Sequence, residues 1–322
     1  MATRLLIDTD GGIDDAVALW WALTAPDVEV VAITTVHGNV DVETATANVC
    51  RILEAAGAPD IPVAGGANEP FGPAPDLRPA DFIHGTDGLG ETFRPAAAFG
   101  AGSETAVELL NRLADQDVVL VTLGPLTNIA HCIAGDAEWA GRWKRLVVMG
   151  GTVLGPGNAF PVGEANIAHD PASAALVATA AWTEPPLLVG LDATHRATLT
   201  ATEFEALERR ASRAAEFLAD PMMFYRRFAG TFCAPGECPC HDVVAVIAAA
   251  RPTLVTGPVL PLGVQAEPGP AWGATVVDRR QPFFERGGAG SVQDAPAGFA
   301  PWEIGLDVDV DAFRRELGTL FG

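Results

Sequence analysis

Apolar and polar positions alternate along the chain in blocks that predict strands and helices in turn. Short apolar runs at residues 5–7 and 28–36 are each followed by a segment with helical spacing of its apolar residues, at 14–23 and 42–56. The run at 28–33 is almost continuously apolar, which is typical of parallel strands covered on both faces. This order of elements predicts an α/β fold built on an open, mostly parallel sheet with flanking helices and right-handed crossovers.

The same alternation continues to residue 277. Further strands are predicted at 61–63, 118–123, 146–149, 187–191, 259–265 and 274–277. Further helices are predicted at 104–114, after Gly124, at 171–181, at 202–217, at 222–232 and from 243. Two segments rich in glycine or proline, 65–99 and 150–166, are predicted to run as long excursions over one end of the sheet. No repeat or linker divides the chain, so we expect a single domain over residues 1–322.

Polar clusters follow the predicted strands. They lie at 8–15, at 37–39, from 124 and from 150, each directly after an apolar run. In open parallel sheets, ligands bind outside the carboxyl ends of the strands. The clusters are therefore predicted to form one active site at that edge.

The first of these clusters places four carboxylates, those of Asp8, Asp10, Asp14 and Asp15, in one strand-to-helix turn. Like charges so close together repel each other and resist ionisation unless a positive charge lies among them. Helix capping accounts for one or two of these acids. A hard divalent cation accounts for the others, because Ca²⁺ and Mg²⁺ bind carboxylate oxygens.

Three metal-binding patterns can be compared with this turn. An EF-hand loop counted from Asp8 would need an acid or Asn at Gly12 and a glycine at Ile13, so it fails. A Mg²⁺-dependent haloacid-dehalogenase-like phosphohydrolase would use Asp8 as its nucleophile, but Gly12 stands where threonine or valine belongs. The pattern D-T/C-D-x-G-x-D-D-A fits residues 8–16 and resembles the signature of the inosine-uridine-type nucleoside hydrolases.

This resemblance extends to about residue 278 and implies the nucleoside hydrolase fold, whose sheet is Rossmann-like. It implies a Ca²⁺ site made by the side chains of Asp10, Asp15 and Asp242 and the backbone carbonyl of Leu123. It also implies that Asp10 is the general base on a bound water and that His241 faces the leaving base as the candidate acid. Asp8 is expected to support the metal shell from behind.

The resemblance also implies a set of substrate-binding residues in the polar clusters and glycine-rich loops. Those residues are Asp14, Asn39, His84, Asn158, Glu164, Asn166 and Tyr225. Amide and carboxylate groups suit a polyhydroxylated sugar, which needs paired donors and acceptors. His84 lies in a loop with many glycines that could close over a ligand as a lid. The preference for purine or pyrimidine bases stays open.

The segment 233–242 contains Cys233, Cys238 and Cys240 next to His241, which invites a zinc-site interpretation. The spacing is tight and no second ligand pair lies at a distance, so zinc is disfavoured. The resemblance uses only His241 and Asp242 from this segment. The three cysteines are left without a role.

Composition narrows the class of partner. The formal charge of −21 disfavours nucleic acid and anionic membrane surfaces and leaves a small neutral molecule as the expected partner. No apolar run is long enough to cross a bilayer, and the first four residues lead into a strand without a signal-like apolar region. Five cysteines without a framework fit a reducing compartment, so we expect a cytoplasmic protein. The resemblance implies a homodimer or homotetramer.

The sequence therefore predicts an enzyme that hydrolyses the N-glycosidic bond of ribonucleosides to ribose and a free base. Two rival hypotheses remain beside it. One is the Mg²⁺-dependent phosphohydrolase with an aspartyl nucleophile. The other is a protein that binds nucleosides or ribose without catalysis.

Overall fold

The computed structural model describes residues 2–77, 80–229, 236–280 and 296–321. Its strands are β1 Thr3–Thr9, β2 Val28–Thr35, β3 Val63–Gly65, β4 Val118–Thr122, β5 Arg145–Met149, β6 Leu187–Val189, β7 Thr198–Leu199, β8 Cys238–Pro239, β9 Val255–Thr256, β10 Val259–Val264, β11 Thr275–Val277, β12 Ala300–Ile304 and β13 Asp307–Val308. Its helices are α1 Ile13–Thr24, α2 Val42–Ala56, α3 Asp81–His84, α4 Ala106–Leu113, α5 Thr127–Gly135, α6 Ala165–His169, α7 Pro171–Ala178, α8 Leu191–Thr194, α9 Ala201–Glu208, α10 Arg213–Ala229, α11 His241–Ala250 and α12 Val310–Phe321.

In the described parts of the chain, nine strands form the central sheet in the order β11-β10-β12-β6-β5-β4-β1-β2-β3. The seven strands from β12 to β3 run parallel, while β10 is antiparallel to both of its neighbours. The order 3-2-1-4-5-6 within the parallel part is that of a doubly wound sheet. In such a sheet, β2 and β3 are added on one side of β1 and β4 to β6 on the other, so the strand order reverses at β1. The crevice for a ligand therefore opens between the carboxyl ends of β1 and β4.

Helices cover both faces of the sheet, because alternate side chains of each strand point to opposite sides. In β1, Leu5 and Ile7 pack into one buried cluster together with α1 and α11. Leu6 packs into the other cluster together with α5 and α7. This covering of both faces confirms the predicted α/β fold class.

Most predicted elements are found within a few residues of their predicted bounds, and α2 has the predicted bounds. The division of the helical region after residue 200 was predicted wrongly. The break lies at residues 209–212, where Arg210 has a φ of 50°, and α10 then continues through Pro221 to Ala229.

A substitute hydrogen bond makes Pro221 tolerable inside α10. Proline has no N–H, so the carbonyl of Phe217 loses its helical donor. Arg94 supplies one from its Nη2 at 2.5 Å, and its guanidinium lies 3.9 Å from the centroid of the Phe217 ring. A residue far away in sequence thus completes the helix.

Several elements were located imprecisely or missed, among them the two-residue strands β7, β8, β9 and β13 and the short helices α3, α6 and α8. β3 begins at Val63 rather than at residue 61, and the strand β12 and the helix α12 were not predicted. None of the helices in the described parts of the chain has both the length and the apolar composition needed to cross a membrane.

Candidate active site

A cavity of about 510 Å³ opens at the carboxyl ends of the strands. Ten of the predicted site residues line it: Asp14, Asn39, His84, Leu123, Asn158, Glu164, Asn166, Tyr225, His241 and Asp242. The other three, Asp8, Asp10 and Asp15, are completely buried beneath it. Residues that are far apart in sequence therefore converge on one site, as the positions of the polar clusters predicted.

Three buried carboxylates meet at the base of this cavity. Asp14, Asp15 and Asp242 each offer a carboxylate oxygen, and these oxygens all lie within 4.8 Å of one another. Burial, together with the neighbouring carboxylates, raises the pKa of Asp14 to about 7 and the pKa of Asp242 well above its usual range. We predicted Asp10 rather than Asp14 as the partner of Asp15 and Asp242, so the tight cluster differs from the predicted metal ligands in one member.

Within the described residues, the basic side chain found within ion-pair distance of these acids is His84, whose Nδ1 lies 4.0 Å from Asp14 Oδ1. Burial lowers the pKa of His84 to about 4, so the ring is neutral at neutral pH. Three carboxylates without a cationic partner are the donor set that a hard divalent cation requires. The residues present therefore fit a metal ion.

Asp10 lies beside this cluster in a fixed orientation. Asn39 donates to it twice, from its backbone N to Oδ2 at 2.8 Å and from its Nδ2 to Oδ1 at 2.9 Å. A Cβ atom on Gly38 would overlap the Asp10 carboxylate, and one on Gly124 would come within 2.9 Å of Asp10 Cβ. Burial and the charge of Asp15 raise the pKa of Asp10 well above its usual range.

Asp15 is held by the start of α1. Its Oδ2 accepts from the backbone N of Gly12 at 2.8 Å, and its Oδ1 accepts from the Thr9 hydroxyl. It therefore also performs the capping role considered for these acids from the sequence.

Asp8 supports the turn from below and does not line the cavity. Its Oδ1 accepts from Thr34 Oγ1 at 2.5 Å and from Asn128 Nδ2 at 2.8 Å, while its buried Oδ2 has no hydrogen-bond partner among the described residues. Burial raises the pKa of Asp8 to about 6. A carboxylate enclosed in this way is out of reach of a substrate phosphate, which removes the nucleophile that the phosphohydrolase hypothesis needs.

One wall of the cavity is built around the Leu123 carbonyl and α6. Asn166 Nδ2 donates to the carbonyl oxygens of Leu123 at 2.8 Å and of Met149 at 3.1 Å. Glu164 caps α6 and accepts from the backbone N of Asn166 at 2.9 Å and of Gly151 at 2.8 Å. Asn158 accepts from Ala165 N at 2.9 Å. These contacts hold the loop after β5 against the end of β4.

The opposite wall carries aromatic and imidazole rings. His84 Nδ1 accepts from the backbone N of Ile13 at 3.1 Å, so the proton of its neutral ring is on Nε2. The Tyr225 ring lies 5.5 Å from the His84 ring, and its hydroxyl donates to Asp14 at 3.4 Å. His241 begins α11, and burial lowers its pKa to about 3. Both histidines are therefore neutral at neutral pH.

The structure adds residues that sequence reasoning did not select. Phe82, Phe160, His169 and His195 line the same cavity. Nothing in the local sequence distinguishes them, because their position in the cavity depends on how segments distant in sequence fold together. Asn128, which sequence reasoning did not select either, holds Asp8 from the first turn of α5.

The cysteine-rich segment is described in part. Cys238 and Cys240 are completely buried, and burial raises the pKa of the Cys240 thiol well above its usual range, which disfavours the thiolate needed for zinc. Cys233 lies outside the described residues, so the complete zinc hypothesis stays as the sequence left it.

Comparison with known proteins gives one consistent family. A family model for inosine-uridine preferring nucleoside hydrolases matches residues 5–315. A probable uridine nucleosidase 1 of Oryza sativa subsp. japonica is 35% identical over 327 residues, covering 98% of this chain and 96% of that protein. The pyrimidine-specific ribonucleoside hydrolase RihA of Klebsiella pneumoniae subsp. pneumoniae is 36% identical over 282 residues, covering 86% of this chain and 89% of that protein.

Solved structures agree with this similarity along the whole chain. A plant nucleoside hydrolase superposes with a TM-score of 0.90 and 31% identity, covering 98% of both chains. A purine-preferring ribonucleoside hydrolase from Gardnerella vaginalis superposes with a TM-score of 0.84 and 32% identity, covering 99% of this chain and 98% of the other.

Proposed function

Since this chain belongs to the family of inosine-uridine preferring nucleoside hydrolases, which cleave ribonucleosides, we propose how its own side chains carry out that hydrolysis. The predictions of the family, of the fold class and of a ribonucleoside hydrolase are confirmed. The metal, the residue roles and the substrate preference are proposed here. The observation that carries the proposal is the set of unneutralised buried carboxylates at the base of the cavity.

The metal is Ca²⁺, held by Asp10, Asp15, Asp242 and the carbonyl of Leu123. Carboxylates in an irregular, mixed site with a backbone carbonyl favour Ca²⁺ over Mg²⁺, which demands near-ideal octahedral geometry. When bound, Ca²⁺ lowers the pKa of a coordinated water and holds the ribose 2′- and 3′-hydroxyls. Asp14, which belongs to the tight cluster, faces the cavity and is left to bind the sugar.

Asp10 is the general base. The two bonds from Asn39 fix its carboxylate in one orientation, which a base needs if it is to meet a water at the correct angle. Asp8 keeps this turn in place from below.

The wall around Leu123 binds the ribose. Asn158, Glu164 and Asn166 face the cavity on that side, and Asn39 reaches it from the end of β2. As the glycosidic bond breaks, positive charge develops on the sugar ring as in an oxocarbenium ion. The carboxylates beneath the sugar stabilise that charge electrostatically.

The wall of the cavity that carries His84, Tyr225 and His241 binds the nucleobase. His241 faces the leaving base and, as a neutral imidazole, donates a hydrogen bond to it as negative charge develops there. His84 presents its Nε2–H to the same region, and Tyr225 contacts both His84 and Asp14. A group that stabilises the leaving base completes the arrangement for N-glycosidic hydrolysis.

We propose uridine as the preferred substrate. Relatives from plants carry the name uridine nucleosidase, and the enterobacterial relative is called pyrimidine-specific. We also propose that the protein is a cytoplasmic homodimer or homotetramer that does not bind nucleic acid or membranes. Size-exclusion chromatography with light scattering measures the assembly directly.

The first experiment measures release of free ribose from uridine, cytidine, inosine and adenosine. We expect release from uridine that disappears after chelation by EGTA and returns with Ca²⁺. If Mg²⁺ restores activity and Ca²⁺ does not, the metal assignment is wrong. If no nucleoside releases ribose but uridine binds, the hypothesis of a non-catalytic binding protein is favoured instead.

Asp10→Asn tests the role of Asp10 as the general base. General-base catalysis contributes about 10²- to 10⁴-fold, and we expect kcat to fall by that factor. The matched control is Asp60→Asn, which makes the same exchange at an exposed aspartate and should leave kcat unchanged. An Asp10→Asn variant with kcat near that of the wild type would remove Asp10 from the role of base.

A further inference from the structure

A buried threonine contacts the ring of His241. Thr194 lies in the single turn α8, directly after the sheet strand β6, and is completely buried. Its Oγ1 is 2.7 Å from His241 Nδ1. The backbone N of Thr194 donates to the carbonyl of Gly190 at 3.0 Å, which fixes the turn that carries the hydroxyl.

The same turn also holds the loop after β5. Asp192 accepts from the backbone N atoms of Val153 at 2.7 Å, Leu154 at 2.9 Å and Gly155 at 3.1 Å. The turn is therefore fastened to the loop after β5, and Thr194 has little freedom to follow a moving imidazole. The imidazole ring of His241 must therefore take the orientation that its contact with Thr194 allows.

The direction of the hydrogen bond follows from the partners that each group has. A hydroxyl buried in protein needs an acceptor for its proton. Among the hydrogen bonds of the described residues, the Thr194 hydroxyl has one partner, His241 Nδ1. It therefore donates to Nδ1, and the proton of the neutral ring is on Nε2.

The remaining ring nitrogen faces the substrate. His241 lines the cavity and Thr194 does not, so the edge of the ring away from Thr194 is the edge exposed to a ligand. With its proton on Nε2, His241 presents a donor to that ligand. The opposite tautomer would present a lone pair instead.

We propose that Thr194 is a positioning residue that holds His241 as its Nε2–H tautomer, aimed at the leaving base. This inference rests on the proposed function, in which His241 interacts with the leaving base. In the reaction, the bond between C1′ of ribose and the base nitrogen breaks, and its electron pair goes to the base. The hydroxide part of water bonds to C1′, Asp10 takes the remaining proton, and the base anion finally takes up one proton. The Nε2–H bond stabilises the base while it is anionic.

The test compares two leaving groups in a Thr194→Val variant, which keeps the shape of the side chain but not its hydroxyl. Uracil departs poorly without a hydrogen-bond donor, whereas 4-nitrophenolate departs from 4-nitrophenyl β-D-ribofuranoside without one. We expect kcat/KM for uridine to fall by about tenfold, the equivalent of one hydrogen bond, and kcat/KM for the nitrophenyl riboside to change by less than about threefold. Thr194→Ser, which restores the hydroxyl, should recover most of the activity on uridine.

Thr179→Val is the matched control, because it removes an exposed threonine hydroxyl directly after α7 and should change neither activity. Equal losses on both substrates in Thr194→Val would show a general structural role and overturn the proposal. Unchanged activity on uridine would overturn it as well.

Long-range ¹H–¹⁵N NMR of the six histidines gives a second measurement that does not depend on turnover. The signal of His241 is assigned from its loss in His241→Asn. We expect protonated Nε2 in the wild type and a mixture of tautomers in Thr194→Val. Protonated Nδ1 in the wild type would overturn the proposal. If neither substrate is hydrolysed by the wild type, the proposed function fails, while the NMR result still decides whether Thr194 sets the tautomer.

Discussion

The position of the Asp10 side chain depends on two neighbouring residues that have no Cβ atom. Its carboxylate lies against Gly38 and Gly124, where any Cβ atom would intrude on it. The donors from Asn39 then fix its direction. The position of the Asp10 carboxylate thus depends on the absence of a Cβ atom at Gly38 and Gly124 as well as on the donors from Asn39.

Gly38→Ala tests this dependence. Because the added Cβ would overlap the Asp10 carboxylate, we expect Asp10 to be displaced and kcat for uridine to fall by at least about tenfold. The matched control is Gly100→Ala, since a Cβ there meets nothing within 4 Å. Steady-state kinetics and the melting temperature are measured for both variants. Full activity in a folded Gly38→Ala protein would show that the Asp10 position is less restricted than this packing requires.

At this scale, the sequence indicated that Asp8, Asp10, Asp14 and Asp15 lie together, because they follow one apolar run and the helix after it begins at once. It could not predict Thr194 or His195, because one turn with no distinctive composition brings them to His241 from 46 or more positions away. It did not select Asn128 either, since the long-range bond to Asp8 has no local signature.

At the scale of elements, α10 is completed by a side chain that does not belong to it. The bond from Arg94 to the Phe217 carbonyl replaces the N–H that Pro221 lacks. The predicted break between residues 217 and 222 contains Pro221, where the general rule that proline ends a helix would place a break. The rule failed because the compensating donor comes from the loop that also carries His84.

A double-mutant cycle measures how far the bond from Arg94 compensates for the N–H that Pro221 lacks. We expect Arg94→Met to lower the free energy of unfolding by about 1.5–3 kcal/mol, the usual contribution of a hydrogen bond from a charged group. In a Pro221→Ala background the effect should be smaller by about 1 kcal/mol or more, because alanine has the backbone N–H that the helix needs there. Urea denaturation of the four proteins gives the coupling free energy. Equal effects of Arg94→Met in both backgrounds would contradict the account.

At the scale of the whole molecule, the acidic site opposes folding unless it is neutralised. Asp8 and Asp14 have pKa values of about 6 and about 7 in the folded protein, against an ordinary value of 3.8. The folded state therefore retains protons that the unfolded chain has already released. The contribution of these two groups to the stability of the metal-free protein is expected to be fully present below about pH 4 and to be lost as the pH rises through about 7.

Calcium should reverse this trend, because it competes with protons for the same carboxylates. We expect the rise in melting temperature on addition of Ca²⁺ to be larger at about pH 8 than at about pH 5. Differential scanning calorimetry with EGTA or with Ca²⁺ across this range measures both effects. Asp15→Asn is the control in which the Ca²⁺ response should be lost. A Ca²⁺ effect that is the same at every pH would contradict the assignment of the site to these acids.

The parallel core of the sheet was predictable from the alternation of strands and helices, but its outer edge was not. β12 is short and carries a proline, so its pattern is weak. Its partners are β6 on one side and β10 on the other, and no sequence periodicity specifies that choice.

That position of β12 has a consequence for biosynthesis. Residues 300–304 form the strand that joins β6 to β10, so the nascent chain leaves the ribosome with one side of β6 unpaired until they emerge. All of the side chains proposed for the site have been synthesised by residue 242, yet the sheet that supports them still lacks its bridging strand at that point. An exposed strand edge is a template for pairing with another chain. A translational pause or truncation between residues 242 and 300 would therefore yield a protein with a complete set of catalytic residues and an open, aggregation-prone seam.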